Sequence, residues 1–480
     1  MFRAHRITVK QAESKESVIQ TSYAVVRTCF ILINQPILPI LRTKVLTKKN
    51  GNNMRRYRTL LFVVALVVIN ALGLSLTLVN KGSYRNSLYY RFTRQRFAWI
   101  LSAPRPAYPI QAGWASIAVS LADASTAEKT PDSIRTRAIV LDNGTTRAAI
   151  LSVDLPIMPP SVAQALEQKL PKLGFAWKNV YLGATYSQPG LGSWTDDYMA
   201  KRKSGPYNQQ WVDQLTAAIL KAVSLAQSQM ATVQLGYTQA DQNGQEQRTT
   251  DRRQVLYLLL FRKPTGESAL VFTAPVRSIP EGETANAPDP SGGLKALTKQ
   301  LEKQTHSFIL ALAGSIDDTG RSNQQTSRNA QALAARLATL LARQPLHTDS
   351  TLIAQTAPLI QNDPQIRISQ NWRLKPWLAK ALYGDYPAEL KALRIGQTVF
   401  VGCPGGVSTE LTGDLLALPA ADRWPLVITS YNGGNLGRIV PDAYYYAENS
   451  PYTISQTNRF GPHTAQFFED MTQSLVSSLK

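Results

Sequence analysis

The sequence is poor in the residues that most often hold metals or cross-link chains. Two of its 480 residues are cysteine and four are histidine. Cys29 and Cys403 lie on opposite sides of a long apolar run, which argues against a disulfide between them, and two cysteines cannot build a cysteine-based zinc site. His5, His306, His347 and His463 stand far from one another, none at metal-ligand spacing, and a lone histidine is usually a surface or satisfied core residue. The sequence has neither a P-loop nor a G-x-S-x-G nucleophile elbow, so nucleotide binding and serine hydrolase chemistry gain no specific support. It shows no internal repeat. Acid is scarce as well, with 32 Asp and Glu against 52 Lys and Arg.

That imbalance is local. Residues 1–100 hold 17 basic side chains and only two acidic ones, Glu13 and Glu16, so the net charge of +20 does not describe a nucleic-acid-binding surface spread over the chain. Within that region, residues 59–80 (TLLFVVALVVINALGLSLTLVN) carry no charge, and about 20 apolar residues in a helix span a bilayer core. The run follows a basic MRRYR stretch and ends in LTLVNKGS without a small-x-small cleavage site. The expectation is an uncleaved signal anchor, a single-pass membrane protein with its main domain extracytoplasmic. Basic residues flank both ends, so charge alone sets orientation only weakly. Residues 1–53 form a basic leader, and a start at Met54 would make a conventional anchored protein. Residues 81–104 interleave Tyr, Phe and Trp with Lys and Arg, which suits either an interfacial segment at headgroup level or the first helix of the domain.

From residue 105 to 480 the chain reads as one continuous domain. With 44% apolar and 18% charged residues overall, a packed core is expected. RAIVLDNGTTRAAILSVDL reads as a hairpin turning at Asn143-Gly144 as type I′. PPSVAQALEQKL is a helix opened by Pro159 and Pro160, and NVYLGAT is a buried strand leaving into a glycine-rich loop. QVLYLLLFRK and SALVFTAPV are strands joined by PTGE. Helices are expected in QQWVDQLTAAILKAVSLAQSQ and RNAQALAARLATLLARQ from their three- and four-residue apolar spacing. Residues 279–293 read as a flexible loop. Hairpins mixed with helices give a mixed α/β, or α+β, class.

Two strand-to-loop junctions could carry chemistry. FVGCPGGVSTELTGDL passes from a strand through a Pro-Gly-Gly turn into a helix, whose backbone N–H groups could cradle an anion or simply close a tight turn. SIDDTGRSN places Asp317 and Asp318 beside Thr319 after an apolar strand, in position for acid-base work or a cation, although such turns are common.

In order, RAIVLDNGTTRAAILSVDL, NVYLGATYSQPGLG, ALVFTAPVRS, FILALAGSIDDTGRS, TVFVGCPGG, NLGRIVPDAYYYAE and NRFGPHTA resemble the catalytic domain of the neutral/alkaline non-lysosomal ceramidases. The resemblance covers roughly residues 110–480 and omits that family's C-terminal immunoglobulin-like domain. It implies the fold of a secreted or membrane-anchored zinc amidase that cleaves the N-acyl bond of ceramide, and a membrane lipid such as a sphingolipid or another N-acyl amphiphile as partner, with a protein partner also open. It further implies that the zinc site has been lost. The family's ligand positions fall on Tyr186, Pro275, Gly406 and Ile439 (or Arg438, one residue earlier), and its substrate-side histidine falls on Gln188. Zinc hydrolysis needs about three donor side chains to hold the ion and acidify its water. Proline and glycine have none, so no zinc or other cofactor is expected. What carries over by position is Asp317, Thr319 and Gln188 on the catalytic side, with Tyr186, Gly190, Gly192 and Arg277 on the substrate side. Two functions follow: a pseudoenzyme that binds without zinc-dependent cleavage, or a hydrolase of amides or esters rebuilt on the same fold around Asp317, Asp318 and Thr319.

Overall fold

A computed structural model describes residues 51–98, 106–119, 134–187, 195, 197–241, 255–277, 292–317, 329–360, 362–447 and 457–479. They divide into two compact units, one joining the residues up to Asn80 with Asp363–Asp385, the other comprising Lys81–Asn362 and Tyr386–Lys480. The single domain expected over 105–480 is therefore interrupted, and the larger unit begins at Lys81.

In the smaller unit a helix runs Gly51–Ser75. It stops there because the backbone of β1 (Leu76–Leu78) finds partners in β12 (Trp372–Leu374), antiparallel, with Leu76 opposite Leu374 and Leu78 opposite Trp372. The uncharged run 59–80 is thus not helical throughout. Among the described residues no helix is long and apolar enough to cross a membrane. The junction is closed by Lys375 N–H donating to the Ser75 carbonyl (2.8 Å) and Asn80 N–H to Gln365 Oε1 (2.7 Å).

The larger unit is built on three sheets. The first has the order β5-β4-β3-β2-β6, from β2 (Gln111–Val119), β3 (Ile134–Asp142), β4 (Arg147–Val153), β5 (Val180–Ala184) and β6 (Ala231–Thr232). The second has the order β10-β9-β8-β7, from β7 (Gln234–Ala240), β8 (Leu256–Arg262), β9 (Ser268–Arg277) and β10 (Phe308–Asp317). The third has the order β11-β13-β14-β16, from β11 (Leu352–Pro358), β13 (Glu389–Ile395), β14 (Thr398–Gly402) and β16 (Leu426–Thr429). The pairs β4/β5, β9/β10 and β14/β16 are parallel and the other large-sheet pairs antiparallel. All three sheets contribute to one apolar core, with Ile139, Tyr181, Val271, Leu310, Leu393 and Phe400 among its members. The mixed α/β expectation holds.

The β3–β4 hairpin forms as expected, with Asp142 paired to Arg147, but not through a type I′ turn. That turn needs positive φ at two residues, and here only Gly144 has it (φ 87°). Asn143 instead spends its side chain on the loop: Oδ1 accepts from the Thr146 amide at 2.8 Å and the Thr145 amide at 3.2 Å. The helices Pro160–Lys169, Gln209–Ser228 and Ala330–Ala342 fall where the apolar spacing placed them. Residues 279–291 of the loop expected at 279–293 lie outside the described residues, and the helix Gly292–Thr305 begins just after them.

The basic-aromatic segment divides by side chain. Tyr84, Tyr90 and Phe97 are buried in a core with Phe467, Phe468 and Met471, while Leu88 and Phe92 on the helix Leu88–Ala98 are exposed. Tyr84 and Tyr90 both donate their hydroxyls to Asp470 Oδ2, at 2.6 and 3.1 Å. Three of its aromatic rings therefore serve the larger unit as the start of a packed helix.

Candidate functional site

Ligands in α/β folds usually lie beyond the carboxyl ends of parallel strands, and here β5, β10, β14 and β16 all lead to one place. Their loops are tied by hydrogen bonds that the apolar pattern does not reveal. Past β16, Ser430 donates its amide to the Ala313 carbonyl (3.0 Å) and its hydroxyl to the Gly314 carbonyl (2.7 Å) in β10. The same hydroxyl accepts from the Val407 amide at 3.1 Å. Asn432 gives its amide to the Cys403 carbonyl beyond β14 (2.8 Å) and its side-chain amide to the Leu182 carbonyl in β5. Deeper in, the Tyr181 hydroxyl meets Thr429 Oγ1 at 2.6 Å, and burial pushes the Tyr181 phenol well above its usual range.

At this junction Tyr186 and Tyr431 stack, ring centroids 5.7 Å apart and planes 12° from parallel. Both are buried, and both sit in left-handed backbone, with φ of 58° and 55°. Positive φ is costly for a bulky side chain, and such strain clusters at functional sites. The next strand pair packs against Tyr431: β15 (Gly406–Val407) lies parallel to β17 (Arg438–Ile439), with Gly406 opposite Arg438 and Val407 opposite Ile439.

Tyr431 also fills the space above Gly406. A Cβ added to Gly406 would lie 2.7 Å from the Tyr431 hydroxyl oxygen and 2.9 Å from its ring, closer than any side chain tolerates. A carboxylate at position 406, which the family resemblance would assign to a zinc ligand, therefore has no room while Tyr431 keeps its place. Ile439 is fully buried in the core with Leu411, Leu415 and Phe468. Pro275 stands in β9 where the register against β10 shifts, between the pairs Ala274/Ala313 and Val276/Ile316. A residue without an N–H is tolerated at such an irregularity. None of these residues fits a zinc ion in place. Among the described residues no three His, Cys, Asp or Glu side chains group to hold a metal.

Two of the other expected residues, Asp317 and Arg277, are paired at neighbouring strand ends. Asp317, nearly fully buried, ends β10 directly opposite Arg277 at the end of β9. Ile316 bridges to Ser408, and its carbonyl accepts from Thr409 Oγ1 and Arg438 Nη2, both at 3.4 Å. Gln188, Gly190, Gly192, Asp318 and Thr319 lie outside the described residues. The Pro-Gly-Gly turn does lead into a helix, Thr409–Leu416, where Ser408 caps the Leu411 amide at 3.2 Å.

Cys403 is buried and free, its thiol pushed up to about 12 by burial, which removes it as a nucleophile at neutral pH. The described histidines serve three unrelated places. His463 stacks on Tyr84, His347 faces Asp349 at 3.9 Å and His306 ends the helix Gly292–Thr305.

Sequence reasoning missed Ser430, Tyr431 and Asn458. Asn458, fully buried, accepts from the Val440 amide (3.0 Å) and donates to the Val440 carbonyl (2.9 Å) and Asp442 Oδ1 (3.2 Å), fixing β17. Asp442 then caps the helix Thr464–Ser477 through the Ala465 and Gln466 amides at 2.9 and 3.1 Å. The signal for Asn458 was present in NRFGPHTA, one of the segments behind the family resemblance.

With this geometry in hand, comparison with solved structures is decisive for the fold. The neutral ceramidase from Pseudomonas aeruginosa matches with a TM-score of 0.56 at 15% identity, over 78% of this chain and 75% of that one. The chain has a neutral ceramidase-like fold. A ceramidase complexed with C2 matches it similarly, with a TM-score of 0.57, 13% identity and the same coverage of 78% and 75%. No protein-family model and no curated protein sequence matches the chain. The ceramidase-like core accounts for the convergence of β5, β10, β14 and β16.

Proposed function

We propose that this protein is a membrane-held pseudoenzyme: a ceramidase-fold protein that binds an N-acyl amphiphile, such as a sphingolipid, and does not cleave it through zinc. The observation that carries this reading is the Tyr431 ring over Gly406, stacked on Tyr186, where the fold's amidase relatives would need side-chain donors. Closely packed apolar and aromatic side chains with one buried carboxylate, Asp317, are poor surroundings for a hydrated metal. The uncharged run 59–80 and its exposed helix support a place at an extracytoplasmic membrane surface. The carry-over of Gln188, Gly190, Gly192 and Thr319 belongs to the same proposal.

A second reading is a hydrolase rebuilt around Asp317, favoured by the burial of that carboxylate at a strand end beside Arg277. One experiment separates the two. The purified protein is incubated with N-acyl sphingoid bases and N-acyl amino acids while bound ligand and released fatty acid are both measured. Binding without release, weakened by Tyr186→Ala, is the expected result. Fatty-acid release abolished by Asp317→Ala would overturn the pseudoenzyme reading and establish the second.

A further inference from the structure

The smaller unit carries an apolar surface that the larger unit's chemistry does not use. In the helix Gly51–Ser75 the consecutive residues Leu60, Leu61, Phe62, Val63 and Val64 are all exposed, between 48% and 69%. Five consecutive residues turn through more than a full circle of an α-helix, so the apolar surface has no polar side. A helix docked on a protein groove shows one apolar stripe and one polar face, whereas an all-round apolar helix belongs in a core or in lipid.

The insertion Asp363–Asp385 places two tryptophans at the carboxyl end of that helix. Trp377 donates its indole N–H to the Leu74 carbonyl at 3.1 Å, satisfying one of the acceptors that every helix end leaves open. Trp372 stands opposite exposed Leu78 in the β1/β12 ladder. The two rings are 46% and 47% exposed. Around them the insertion carries three partly exposed basic residues, Arg373, Lys375 and Lys380, the last paired with Asp385, while its fourth, Arg367, is buried. Tryptophan at the end of an apolar helix, with cations beside it, is the composition of a membrane-water interface. A protein partner would not need the apolar circumference.

We infer that Asp363–Asp385 is an interfacial anchor, setting Trp372 and Trp377 at lipid headgroup level while the apolar stretch Leu60–Leu74 of the helix Gly51–Ser75 inserts into the hydrocarbon of an anionic bilayer. This deepens the membrane part of the proposed function and rests on it. The role expected for the aromatics of residues 81–104 thus falls to an insertion some 270 residues further along the chain.

The test uses the full chain, incorporated into vesicles of phosphatidylcholine and phosphatidylglycerol whose acyl chains are brominated close to the headgroup. Tryptophan emission and vesicle flotation are read together. The expected result is strong quenching in the wild type that is largely lost in Trp372→Phe/Trp377→Phe, with flotation retained. Trp211→Phe, at a buried position of the larger unit, is expected to leave the quenching unchanged. Equal quenching in the double variant, with flotation intact, would overturn the interfacial role and leave membrane binding standing. Failure of the wild type to float would overturn both, and a discrete soluble dimer in detergent-free buffer would assign the apolar helix to a second copy.

Discussion

Along β10, Ile309 to Ala313 are apolar and buried, and the neighbouring strands of all three sheets read the same way. A few residues beyond the strand ends the pattern changes, with tyrosines in left-handed backbone, a buried aspartate and a serine that bonds to two other segments. The strand bodies need only apolar residues at the right period to stay packed, so they can diverge widely within one fold. The strand ends need particular atoms at particular places. In this chain those atoms tie loops together and stack rings at the ends of a ceramidase-like core.

The comparison can be broken at the strand ends. The largest effect is expected for Gly406→Glu, which introduces a carboxylate where Tyr431 leaves no room. Overpacking there should cost about 3 kcal/mol in urea unfolding, and adding Tyr431→Ala should recover much of the loss. A single variant as stable as the wild type would mean that the site is open. Next, Ser430→Ala strands the Val407 amide and the Gly314 carbonyl, and a loss of about 2 kcal/mol is expected in the same measurement.

A third prediction concerns pH. Burial raises the carboxyl of Asp442 from 3.8 to about 7 despite the amides it accepts from Ala465 and Gln466. The folded protein then keeps a proton that the unfolded chain has already released, so this group's contribution to stability falls as pH rises from about 4 to about 7 and levels off above that. Thermal unfolding followed across that window should show a flatter dependence for Asp442→Asn, and an identical slope would contradict the assignment. The smallest effect is expected away from both regions. Lys380→Ala removes an exposed ion pair with Asp385 and should change stability by no more than about 0.5 kcal/mol.

What the sequence revealed follows the same division. The strands β3, β4, β5, β8 and β9 and the helix Gln209–Ser228 were legible because their apolar period and flanking turn residues act within a few positions. Tyr186, Gly406 and Ile439 were singled out only through the family resemblance, and Tyr431, which decides what fits over Gly406, was not. Its role depends on a partner 245 residues earlier in the chain, at Tyr186. The apolar run 59–80 read as a single helix because nothing local announces that Trp372–Leu374 will pair with its end. In the Asn143 loop, the side chain accepted the amides that a two-residue turn would have arranged through backbone alone.

The most direct test of the central claim, that the ceramidase-like site has been filled from within, is the metal content of the protein purified with zinc present and dialysed without chelator. The account predicts no zinc retained in stoichiometric amount, and the same result for Tyr186→Ala. One tightly held zinc per chain in the wild-type protein would contradict it and return the site to hydrolysis.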